Sequence, residues 1–151
     1  MSLEQWLRNG WLQRHDATLP EIQQLLQVVD REICDARAEG ISADGRFQHA
    51  YTAALQLCAV ALRAAGYVVR KGQSHHKRTI DSLPYTLGGR WVETAEYLER
   101  CSRQRGQAMY ERVDVVSEED ASDLLQRVGQ LRTDVVNWLK AEHAALAPPG
   151  T

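Results

Sequence analysis

Phe47-Gln48-His49-Ala50-Tyr51-Thr52-Ala53-Ala54-Leu55-Gln56-Leu57-Cys58-Ala59-Val60-Ala61-Leu62 decides the fold of this chain. Phe47, Ala50, Tyr51, Ala54, Leu57, Cys58, Ala61 and Leu62 recur at the three- and four-residue steps of an α-helix. Leu55, Ala59 and Val60 widen that face until only a thin stripe of His49, Thr52, Gln56 and Arg63 stays polar. A helix apolar over most of its circumference is buried by several neighbours, and its many alanines let those neighbours approach closely. Ser42 offers a start and Gly66 a stop. The stretch therefore predicts a central helix with others packed around it.

The flanking sequence supplies the others. Thr18 with Glu21 three residues on is a capping-box signature, and Pro20 is tolerated in a first turn. Ile22, Leu25, Leu26, Val29, Ile33 and Ala36 then hold one face, with Gly40 as a stop. Trp91, Ala95, Leu98 and Cys101 mark a helix beginning near Arg90. Ser117 followed by Glu118, Glu119 and Asp120 opens a last one, with Ala121, Leu124, Leu125, Val128, Leu131, Val135, Trp138 and Leu139 on its face, ending near Ala145. Leu3, Trp6, Leu7 and Trp11 suggest a short helix from Leu3 to Arg14, and Ser74 offers a cap for a short one carrying His75, His76, Ile80 and Leu83. No stretch reads as a strand; Val113, Val115 and Val116 are too brief a cluster. The expected fold is all-α: an antiparallel, up-and-down bundle of four long helices plus one or two short ones. It forms a single domain over 1–146, with a frayed tail at 147–151.

The chain has 151 residues, enough for one hydrophobic core, and a net charge of −2, so any polyanion would have to meet a local patch. Cys34, Cys58 and Cys101 make no CxxC pair or zinc motif and read as buried free thiols of a reducing, cytoplasmic setting. Glu4 and Arg8 argue against a signal peptide, and no run reaches the roughly 18 apolar residues of a membrane span.

The chemistry concentrates at Arg103-Gln104-Arg105-Gly106-Gln107-Ala108-Met109-Tyr110. Arg105 stands seven residues after Leu98 and four after Cys101, where the stripe calls for an apolar residue. Either the helix ends near Arg103 and the phase means nothing, or the guanidinium faces inward and needs an acid, a cleft or an interface. In the second case Arg103 and Arg105 form a small cationic site beside the Tyr110 hydroxyl, suited to a phosphate oxygen. Arg63, Arg70, Lys71, Lys77, Arg78 and Arg90 against the single acid Asp81 make a basic segment that could attract an anionic ligand or an RNA backbone. His75 and His76, in its middle, lack a further ligand at helical spacing, so no metal is expected; one of them should pack against the bundle. His15 and His143 read as solvated. No GxSxG, P-loop, GxGxxG or HExxH motif is present, and no cofactor is implied.

With these residues laid out, the chain resembles the HEPN family of small helical-bundle domains from Trp11 to about Leu139. Three passages carry the resemblance: Arg46-Phe47-Gln48-His49-Ala50-Tyr51-Thr52-Ala53-Ala54; Ala65-Gly66-Tyr67 followed by Gly72-Gln73-Ser74-His75-His76; and Arg105-Gly106-Gln107-Ala108-Met109-Tyr110 before the helix start at Ser117. The resemblance implies a homodimer in a bacterial defence, stress or toxin–antitoxin setting, in some members beside a nucleotidyltransferase. Many HEPN members are metal-independent ribonucleases whose motif is an arginine, a polar residue and, after four to six intervening residues, a histidine. Two motifs meet across the dimer. Here Arg105 matches the arginine, Gly106 replaces the polar residue and Tyr110 stands in the histidine's place. A tyrosine, with a pKa near 10, is a poor general base at neutral pH.

The expected function is a non-catalytic dimer that presents Arg103, Arg105, Tyr110, His75 and His76 to a nucleotide, RNA or protein partner. The alternative is a ribonuclease toxin with Arg105 and Tyr110 in its site and a histidine recruited from elsewhere, His49, His75 or His76. A third is a purely structural bundle in which Arg105 pairs with an acid.

Overall fold

The computed structural model describes residues 1–72, 74–113 and 115–151. In chain order these form α1 (Leu3–Arg8), β1 (Leu12–Arg14), α2 (Leu19–Ala36), α3 (Ala43–Ala64), β2 (Tyr67–Val69), α4 (His75–Asp81), α5 (Leu83–Leu87), α6 (Val92–Tyr110) and α7 (Glu118–Glu142), with single 3-10 turns at Gly89–Trp91 and Ala144–Leu146. Gln73, part of one passage quoted above, lies outside the described residues.

The central helix is α3. Its Ser42 hydroxyl accepts from Gly45 N at 3.0 Å, and Gly66 follows the last turn at φ +102, a conformation that only glycine adopts freely. Phe47, Ala50, Tyr51, Ala53, Ala54, Leu57, Cys58, Val60 and Ala61 are all buried, and α2, α6 and α7 pack around them. Side-chain pairs fix the directions. Glu21 meets Arg63 and Glu32 meets His49, so α2 and α3 are antiparallel. Arg127 covers the Tyr97 ring and Gln104 donates to Asp120, so α6 and α7 are antiparallel. Arg46 reaches Glu118, which sets the starts of α3 and α7 at one end. The result is an all-α, up-and-down bundle of four long helices.

Several local expectations change. The predicted helix over Leu3–Arg14 stops at Arg8, Gly10 turns the chain at φ +77, and Leu12–Arg14 becomes a strand. It pairs antiparallel with Tyr67–Val69, Leu12 opposite Val69 and Arg14 opposite Tyr67. This clasp has its own small core of Trp6, Leu12, Leu62, Tyr67 and Val69. Ser74 does not cap α4; it sits in the left-handed region at φ 67 with no side-chain bond to the helix. Thr18 caps α2, but Glu21 does not reach back to complete the box, because its carboxylate is taken by His15 and Arg63. His15 is therefore half-buried and paired rather than solvated, and His143 packs against the Trp138 ring at 4.7 Å. In the tail Pro148 is buried, and Lys140 donates to the Thr151 carbonyl. Cys58 and Cys101 are buried thiols, whereas Cys34 is exposed. No described helix is long and apolar enough to cross a membrane.

The polar stripe of α3 is its seam with α2. His49 Nδ1 lies 2.6 Å from Glu32 and Arg63 Nη1 lies 2.5 Å from Glu21. Burial, the largest influence, raises the Glu32 pKa, but hydrogen bonds from His49 and Arg31 outweigh it and hold the carboxyl below its ordinary 4.5; Glu21 behaves likewise with Arg63 and His15. A carboxyl depressed in the folded state adds stability above its unfolded pKa and loses it as pH falls through the folded value. Thermal melts should therefore hold steady down to about pH 5 and fall below about pH 4.5. Glu32→Gln should flatten that fall, and an unchanged acid limb in the variant would remove this seam as its cause.

Candidate functional site

The helix that carries Arg105 does not end at Arg103. α6 continues through Gly106 to Tyr110, so the phase argument applies. Ala95, Leu98 and Cys101 are buried along one stripe, and Arg105 follows on it, half-buried. Its guanidinium carbon stands 5.1 Å from the centroid of the Tyr51 ring, within cation–π range. The Arg105 Nε is buried and has no hydrogen-bond partner among the described residues. No acid lies within salt-bridge distance of it among them, which disfavours the purely structural reading.

Tyr51 is the floor of the site. It is 1% exposed, and its hydroxyl also finds no partner among the described residues. Burial pushes its pKa up, while the neighbouring Ser102 hydroxyl and the Arg105 charge pull the other way. Ser102 lies beside the phenol without meeting hydrogen-bonding geometry. His76, at the start of α4, completes the group: its ring centroid is 6.5 Å from that of Tyr51 and 5.9 Å from that of His75. Burial, and then the positive charges of Arg105 and His75, lower the His76 pKa below its ordinary 6.5. The imidazole is thus neutral at pH 7, able to accept a proton or a hydrogen bond.

The expected residues separate into two groups. Arg105 and His76 come together, with His75 alongside. Arg103 does not join them: it is largely exposed and binds Glu99 at 3.2 Å, ending a chain in which Lys77 links Asp81 to Glu99. Tyr110 is 78% exposed at the last turn of α6. Five residues along a continuous helix is about 140° around its axis, so Tyr110 cannot share the face of Arg105. Arg103, Arg105 and Tyr110 are therefore not neighbours; the side chains around Arg105 are His76, Tyr51 and Ser102. Tyr51 reads as core by its spacing from Phe47 and Leu57, and it stands within the first passage that carries the resemblance. Ser102 carried no signal beyond its place three residues before Arg105.

The basic segment also resolves into separate roles. Arg63 pairs with Glu21, Lys77 with Asp81, Arg78 stacks on Trp11 at 4.6 Å and Arg90 on Trp91 at 5.3 Å. Arg70 and Lys71 are exposed cations with neither an ion pair nor an aromatic partner among the described residues. Elsewhere Glu32, Asp35 and His49 bring donor atoms within 4.8 Å of one another, but Glu32 is committed to His49 and Arg31.

Gly106 lies inside α6, and a Cβ built on it meets nothing within 4 Å. Glycine in a helix interior costs about 0.5–1 kcal/mol relative to alanine. Gly106→Ala should therefore raise the unfolding free energy in urea by about that amount. A loss of stability instead would mean that α6 does not run through this position.

No family model, curated protein or solved structure matches this chain.

Proposed function

We propose that this chain is a HEPN-like helical bundle that binds a phosphate-bearing ligand, RNA or a nucleotide, at Arg105, His76 and Tyr51. One observation carries the reading: a half-buried guanidinium over a buried aromatic ring, with no acid within salt-bridge distance among the described residues. Withdrawing a guanidinium from water without a partner is costly, and an incoming phosphate supplies the missing charge and acceptors. Arg105 offers donors for phosphate oxygens, the Tyr51 hydroxyl is a donor with no partner among the described residues, and the His76 ring lies 6.5 Å from that of Tyr51. The resemblance adds the setting: a homodimer in bacterial defence, stress or toxin–antitoxin biology, acting with a nucleotidyltransferase-type partner.

A second reading, a metal-independent ribonuclease, is favoured by a specific observation. The residue beside Arg105 is His76 and not Tyr110, and its lowered pKa keeps it neutral. A neutral imidazole can take the proton of a ribose 2′-hydroxyl as that oxygen attacks the adjacent phosphorus; the P–O5′ bond breaks, leaving a 2′,3′-cyclic phosphate and a 5′-oxygen that takes a proton from water, while a guanidinium stabilises the charge gathering on the phosphate oxygens.

Fluorescence anisotropy and gel analysis of a labelled single-stranded RNA, with wild type, Arg105→Leu, His76→Ala and Tyr110→Phe, test both. We expect wild type to bind without cleaving, Arg105→Leu to bind at least tenfold more weakly with an unchanged melting temperature, and Tyr110→Phe to match wild type. Cleavage lost in both Arg105→Leu and His76→Ala would replace the first reading with the second. Failure to bind RNA, mononucleotides and inorganic phosphate alike would overturn both.

A further inference from the structure

An open groove lies away from Arg105, where α1, α4, α5 and the start of α6 meet. It has a volume of about 570 Å³ and is walled by Trp6, Pro84, Tyr85 and Val92, with Asp81 and Glu96 at its polar edge. Glu96 and Arg105 stand nine residues apart on α6, roughly 13 Å along the axis, so the two sites are distinct.

Three features bear on what fits there. Tyr85 and Val92 are 42% and 44% exposed, large apolar side chains left open to water on the same groove. Trp6 is nine-tenths buried, packs edge-on against Tyr85 at 5.2 Å, and leaves its indole N–H with no acceptor among the described residues. The charge is one-sided: Asp81 and Glu96, the two charged side chains that line the groove, are both acids. Lys77 holds Asp81 at 2.6 Å, but Glu96 has no hydrogen-bond or ion-pair partner among the described residues. An apolar bed of small-molecule size with a free carboxylate at its edge complements a body of one aromatic ring and a single positive charge.

The geometry points to a binding site for a small organic amine with an aromatic body, its ring against Trp6 and Tyr85 and its ammonium at Glu96. The concave shape and volume suit a small molecule rather than a protein surface, which needs some 800 Å² on each side.

The test is titration of the full chain with 2-phenylethylamine, followed by calorimetry and by the fluorescence of its tryptophans, beside the neutral isostere 2-phenylethanol and the anion 3-phenylpropanoate. The amine should bind saturably, at least fivefold more tightly than the alcohol, with the anion weakest. Glu96→Gln, an exposed change that leaves the core untouched, should erase the preference of amine over alcohol. Tyr85→Ala should weaken both, and Arg105→Leu should change neither. Equal binding of amine and alcohol by wild type, an amine preference that survives Glu96→Gln, or no saturable binding of the amine up to 10 mM would each overturn the proposal.

Discussion

Tyr51→Ala lowers the free energy of unfolding by about 3–5 kcal/mol, the range for truncating a buried aromatic side chain. Two losses combine. The ring is among the largest fully buried side chains, so its removal leaves a cavity beneath α6. Arg105 also loses the aromatic face that shelters its charge. Urea denaturation measures the sum, and a loss below about 1 kcal/mol would show that neighbouring helices collapse into the space. Tyr51→Phe isolates the hydroxyl. That group is buried without a partner among the described residues, so its removal should leave stability unchanged or slightly raised. If the same hydroxyl is a donor waiting for a phosphate, Tyr51→Phe should weaken RNA binding several-fold. A variant less stable and unaltered in binding would instead tie the hydroxyl to Ser102 as a structural bond.

Phe47→Ala is the second large effect, again about 3–5 kcal/mol. Phe47 is 1% exposed near the start of α3. Beside it Arg46 donates to the Ala36 and Ala38 carbonyls and reaches Glu118, so the turn after α2 and the start of α7 are tied together at this end. For a chain of this length the loss amounts to a fall in Tm of roughly 6–20 °C, readable by calorimetry. RNA binding at a permissive temperature should persist, because Phe47 brings no polar or charged group to the Arg105 site. Phe47 and Tyr51 are one helical turn apart, so the double variant should lose less than the sum of the two. Additive losses would place them in independent parts of the core.

Features legible in the sequence are those set by neighbours along the chain. The burial of α3 follows from its alternation of apolar residues, and the inward face of Arg105 follows from its distance to Leu98 and Cys101 once α6 runs on. Contacts between distant segments left no trace. Leu12 pairs with Val69 across three-residue strands, far too short for a period to be read. His76 meets Arg105 only because α4 folds back over α3. Ser74 looked like a cap by residue type, but its left-handed backbone points the hydroxyl away from that role. Tyr110 entered as a site residue by its count from Arg105, and the same helical continuity that turns Arg105 inward carries Tyr110 around to solvent.

The clasp of β1 on β2 has a consequence for how the protein opens. Its strands lie before α2 and after α3 in the chain, so the pairing encircles the α2–α3 hairpin and cannot form until that hairpin has docked. Three residue pairs and five buried side chains hold it, a small cooperative unit beside the main core. Assembly therefore places the first 14 residues last, and native-state fluctuation releases them first. Backbone amides at Leu12–Arg14 exchange with water through this partial opening while α3 stays protected, and a protease finds the N-terminal segment without waiting for the bundle to unfold.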